Sequence, residues 1–247
     1  MEYLDRAAIK AEAKQLIRTG QRSVLGMSAI YFLISFILSG MEFLFSRFSG
    51  EESLVYGFIT ILVNLFSSVL SAGFVFFCMA IRRGEVAPFS MLFDGFGMAG
   101  KVIALSIWMG LRVLLWGMLF VIPGIVALYR YRFALYNLLE NPDLTANQAI
   151  ALSKIQTEGM KGQLFVLDLS YIGWYIVVLA IGTPIAYWAI LTGSLSLANL
   201  LSTLIVNLFG IYLVPYMQLA DLGYYEAGKR IISPYPGADG PYHGGGL

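Results

Sequence analysis

Charged and amide side chains set inside apolar stretches are the groups in this chain that could do chemistry. Arg112 stands in the middle of the apolar run from Lys101 to Ile122, and Arg130 and Arg132 follow in VIPGIVALYRYRFALYNLLENP. Asn64 and Asn207 sit in two other apolar runs. Arginine keeps its proton in proteins, so a guanidinium in a hydrocarbon environment needs a carbonyl, an amide, water or a bound anion such as a lipid phosphate. Arg112, Arg130, Arg132, Asn64 and Asn207 are therefore the candidate ligand-binding set. Trp108 and Trp116 flank Arg112, as a cation–π sandwich or as lipid-facing aromatics. The carboxylates Glu140, Asp168, Asp221 and Glu226 fall singly near the ends of apolar runs. Acids with Mg²⁺ and a phosphate substrate would make a membrane enzyme. Without a paired acidic motif, these four read better as interfacial residues paired to neighbouring Lys or Arg. GFGMAG neither follows a strand nor contains GK[ST], so it is a poor phosphate loop. One histidine, His243, and one cysteine, Cys78, exclude a Ser-His-Asp triad, a membrane Cys-His pair, an intrachain disulfide and most zinc sites. No catalytic residue, metal or cofactor is expected, and a binding or structural role is favoured over an enzyme.

These residues need a scaffold, and the composition says which kind. The chain is 58% hydrophobic and 13% charged, with mean hydropathy +0.75. Soluble domains are about half apolar and about a quarter charged, so this balance calls for lipid. A net charge of +1 gives no argument for nucleic acid. The reading is all-α: a polytopic transmembrane helix bundle over 24–230, an amphipathic cytoplasmic-surface helix over 1–23, and a disordered Pro/Gly-rich tail over 231–247. In the first segment Arg6, Lys10, Lys14, Arg18 and Arg22 recur every four residues as one basic stripe, opposite Ile9, Ala13, Leu16 and Ile17. That stripe is expected to lie on an anionic leaflet. Spans are expected at Val24–Phe45 and Leu54–Ile81, the latter with a string of small residues that allows close helix packing. Residues 84–100 read as a loop. Thr145 and Gln148 fit a capping box that opens a short helix to about Glu158.

Several pieces resemble a bacterial membrane-protein family catalogued as domain of unknown function 975. They are IPGI with YRYRFALYNL, NPDLTANQAIALSK, MKGQLFVLDLSYIGW and VPYMQLADLGYYE. The resemblance covers nearly the whole chain except the tail. It implies a helical integral membrane protein of Gram-positive-type bacteria, and it supplies no reaction and no catalytic residues.

Pro123-Gly124 decides the topology. As a kink it makes Lys101–Arg132 one long span, and the chain has five. As a hairpin apex it lets Ile125–Glu140 return, and the chain has six. The positive-inside rule favours six, with both termini cytoplasmic in a bacterial plasma membrane, because only Arg47 then lies outside. With the apex at about Ile122, Arg112 and Arg132 each lie ten residues away, roughly 15 Å deep at 1.5 Å per residue. No carboxylate is expected at that depth, so the arginines and asparagines are expected to line one internal polar site for an anionic lipid or solute. The alternative is a structural or accessory subunit without a ligand. Expected partners are membrane lipids, anionic headgroups above all, and further subunits in a homo- or hetero-oligomer.

Overall fold

The computed structural model describes residues 4–49, 53–191 and 195–232. Asp5 caps the first helix, α1 (Arg6–Thr19), by accepting from the amides of Ala7 and Ala8 at 2.8 and 3.3 Å. Gly20 closes α1 through its amide to the Leu16 carbonyl, and α2 (Gln21–Ser49) starts at once. Ser53 caps α3 (Leu54–Arg82). Among the described residues five stretches are long and apolar enough to cross a membrane: Ser23–Phe45, Leu54–Arg82, Phe89–Leu119, Lys161–Trp188 and Leu201–Arg230. No strand occurs among the described residues, and the fold is an all-α bundle. The tail beyond residue 232 lies outside the described residues, whereas residues 231 and 232 close the last helix, α10 (Leu195–Ile232).

Part of the expected loop at 84–100 is a 3-10 helix, Phe89–Met98, packed back along α3. The contact is backbone against backbone. A Cβ on Gly73 would stand 1.8 Å from the Leu92 carbonyl oxygen, and one on Gly95 would stand 2.5 Å from the Val69 carbonyl oxygen. The small residues of α3 thus serve a close approach, as their type suggested.

The hairpin is real, but its apex is not at Pro123-Gly124. α4 (Ala99–Leu119) ends at Phe120, whose extended backbone turns the chain directly into α5 (Val121–Tyr131). Pro123 lies in the first turn of α5, where a missing N–H costs nothing. Gly124 abuts Gly117, where a Cβ would come within 2.9 Å of the Gly117 Cα. Lys101–Arg132 is therefore not one kinked span. The tip is apolar and open, with Met118 77%, Phe120 70% and Ile122 73% exposed. The return leg is also not one helix: it breaks at Arg132-Phe133, and α6 runs from Ala134 to Glu140.

Three helices follow: α7 (Ala146–Gln156), α8 (Lys161–Leu169) and α9 (Ile172–Leu191). The capping box at Thr145 and Gln148 is present. α9 packs on α10, and α10 passes α2 and reaches α1. The core is concentrated at one end. Buried residues of α3 begin at Val69, those of α2 are Val24, Met27 and Ser28, and those of α10 fall between Gly210 and Gly228 with Ala13 and Ile17 of α1 against them. Leu33, Ile37, Leu54, Phe58 and Ile61, toward the other end, are exposed, as lipid-facing residues would be.

Candidate functional site

The break between α5 and α6 has an identifiable cause. The Ser153 hydroxyl of α7 inserts into the helix ladder, accepting from the Phe133 amide at 3.1 Å and donating to the Arg130 carbonyl at 2.9 Å. Thr157 donates to the same carbonyl, and Asn137 and Gln156 exchange two amide hydrogen bonds at 2.7 and 2.8 Å. Hydroxyls and amides of one face of α7 thus hold α5 and α6. Arg130 and Arg132 are two positions apart and point to opposite sides.

Arg132 points toward α8 and α10. Its Nη1 donates to Asp168 at 2.6 Å and its Nη2 to Asp221 at 2.8 Å, with further bonds from Nε and Nη2 to the same carboxylates. Tyr129 donates to Asp168 at 2.9 Å. This clamp joins three elements, with 19%, 31% and 12% exposure for the Arg132, Asp168 and Asp221 side chains. Arg132 is therefore withdrawn from the expected anion site, because two carboxylates already satisfy it. Counting residues from the apex gave depth along one helix and missed the crossing of α10.

The other expected members also separate. Asn64 donates to the Thr60 carbonyl of its own helix at 2.7 Å. Asn207 is half-buried on α10, upstream of the Gly210–Phe32 contact with α2. Neither is hydrogen-bonded to Arg112, Arg130 or Arg132 among the described residues.

Arg112 and Arg130 do share a face, with a residue the sequence reading had not assigned to the site. Arg112 donates to the Asn147 side-chain oxygen at 2.9 Å and stands 5.8 Å from the Trp108 ring centre. Lys154 stands 5.8 Å from the Tyr131 ring centre. Burial pushes the Lys154 ammonium pKa down, and repulsion from Arg112 and Arg130 adds to it. Asn147 and Lys154 are seven residues apart on α7, hence on one face. That spacing was the available signal. Among the described residues none of Arg112, Arg130 and Lys154 forms an ion pair. The Arg130 Nε is buried without an acceptor. Beside it lies a cleft of about 70 Å³ lined by Trp116, Pro123, Val126, Ala127 and Arg130.

Glu140 and Glu226 are paired with cations. Glu140 takes Arg83 at 3.0 Å and Lys229 at 2.6 Å. Arg82, 7% exposed, takes Glu12 of α1 at 3.0 Å and Glu226 of α10 at 2.9 Å. All four carboxylates that the sequence marked are thus paired with cations. Among the described residues no three His, Cys, Asp or Glu side chains cluster as metal ligands would.

The basic stripe of α1 is largely occupied by the bundle. Lys10 donates to Ser170 at 2.9 Å and lies 4.7 Å from the Tyr171 ring centre, and Lys14 lies 5.8 Å from that of Tyr216. Arg6 donates to the Val166 carbonyl at 3.3 Å. Arg18 is exposed, and Arg22 belongs to α2. Burial, then repulsion from Arg6 and Lys14, pushes the Lys10 pKa down.

Residues 118–230 match the family described as "Protein of unknown function (DUF975)". Over that stretch, a little under half of its length, the chain is similar to this family. The match begins at the hairpin tip, later than the resemblance of the segments suggested. The DUF975 segment contains the whole Arg132 clamp, Arg130 and Lys154, and leaves out Arg112 on α4. No curated protein and no solved structure matches the chain.

Proposed function

We propose that this membrane protein binds a phosphate-bearing anion where Arg112, Arg130 and Lys154 converge. One observation carries the reading: among the described residues three neighbouring cations form no ion pair, and one of them holds a buried Nε without an acceptor. Packing like charges together is unfavourable, and an anion removes that penalty while filling the vacant donors. The proposal includes six crossings, with α5 and α6 together forming the fourth and both ends of the chain on the cytoplasmic side of a bacterial plasma membrane. Support comes from the reversal at Phe120 and from the ionic contacts of Arg82, Arg83, Glu140 and Lys229, which gather at one end. Lipids with anionic headgroups are the proposed partners.

Native mass spectrometry of protein extracted with its lipids tests the reading. Wild type is expected to retain a phosphate-bearing molecule that Arg130→Gln/Lys154→Gln loses. Equal retention by both proteins overturns the site. Retention of only a protein subunit favours an accessory role instead.

A further inference from the structure

Resting on the anion site just proposed, we infer that its ligand is a membrane lipid, with the phosphate at Arg112, Arg130 and Lys154 and the adjoining stretch of acyl chain in the cleft between α4 and α5. Arg130 belongs to both halves of this site. Its guanidinium supplies unfilled donors, and its side chain forms one wall of the cleft. The other walls are Trp116, Pro123, Val126 and Ala127, none of which carries a charge. A soluble phosphate would engage the cations and leave this cleft empty, because small apolar spaces do not hold water well. An amphiphilic anion fills both.

The surroundings suit a ligand that arrives through the bilayer. Leu115 is 58% and Leu119 62% exposed on α4 beside the cleft, on the same apolar hairpin whose tip is open. A chain can slide in without leaving hydrocarbon. The gap has a structural origin. Gly117 and Gly124 bring the two backbones together just above it, and Ala127 keeps the α5 wall thin.

The test uses the full-length protein in nanodiscs of zwitterionic lipid. Three probes are titrated: a long-chain phosphatidate, its water-soluble short-chain analogue, and inorganic phosphate. Val126→Trp fills the cleft, and Trp116→Ala removes a wall. A chain that moves from lipid to the cleft gains packing rather than the hydrophobic effect, so each variant should weaken long-chain binding by roughly fivefold. Binding of the short-chain analogue and of inorganic phosphate should not change. Arg130→Gln should weaken all three probes. Unchanged long-chain binding in both cleft variants overturns the acyl-chain assignment and leaves the anion site standing. Inorganic phosphate that displaces the long-chain lipid at equal concentration also overturns it, in favour of a soluble ligand. Arg130→Gln without effect on any probe overturns the anion site itself. If Val126→Trp aggregates, Trp116→Ala alone decides the point.

Discussion

Arg132→Gln removes the cation that holds Asp168 and Asp221 together. The two carboxylates, 31% and 12% exposed, would then face each other without a partner. Removing one member of a buried ion pair costs about 3–5 kcal/mol. Asp168 retains access to water, so the lower end, about 3 kcal/mol, applies here. For a chain of this length roughly 2–4 °C of midpoint shift accompanies each kcal/mol, which gives a fall of about 6–12 °C. The assay is thermal unfolding of detergent-solubilised protein, followed by size-exclusion elution after heating. Arg132→Lys should recover only part of the loss, because an ammonium is a point charge and cannot fork to two carboxylates. Arg132→Met combined with Asp168→Asn and Asp221→Asn should recover more than Arg132→Met alone, since no unpaired charge remains. A fall below about 2 °C for Arg132→Gln would refute the claim that the clamp ties α5, α8 and α10.

Other expectations test separate parts of the structure. Gly73→Ala places a Cβ 1.8 Å from the Leu92 carbonyl oxygen, so α3 and the 3-10 helix must part. A loss of at least about 1–3 kcal/mol is expected, and an unchanged melting midpoint contradicts the packing. Asp143→Cys, in the exposed α6–α7 connection, should react with a membrane-impermeant maleimide only from the cytoplasmic side. Labelling of intact cells sinks the six-crossing proposal, and the buried Cys78 need not be replaced. Because the Lys154 pKa lies below the ordinary 10.5, its positive charge is lost at lower pH than that of a free lysine. Anion affinity should therefore fall as pH rises toward that value, and Lys154→Arg should flatten the profile. A wild-type profile as flat as that of Lys154→Arg removes Lys154 from the site.

Local features of this fold were legible from the chain alone, and lateral ones were not. The excess of apolar residues required lipid, and the Thr145–Gln148 box marked the start of α7, because both effects act within a few residues. The Gly-rich segment before α4 looked like a loop because its order depends on a notch at Gly73 in another helix. Pro123-Gly124 looked like an apex because the same dipeptide serves a turn or a first helical turn, and only the contact with Gly117 distinguishes them. Arg132 drew suspicion as a membrane charge, but its partners lie 36 and 89 residues further along the chain. Spacing along one helix gives depth and face; it says nothing of which helix crosses there. The α1 stripe illustrates the same gap, since Tyr171 and Tyr216 take up lysines whose period alone suggested a lipid surface.

The most direct test of the anion site is the dissociation constant of a phosphate-bearing lipid for wild type, Arg130→Gln and the control Arg230→Gln, whose arginine is exposed near the end of α10. A hydrogen bond to a charged group contributes about 1.5–3 kcal/mol, so Arg130→Gln should bind at least about tenfold more weakly. Arg230→Gln should match wild type. Equal weakening by both substitutions, or by neither, contradicts a specific site at Arg112, Arg130 and Lys154.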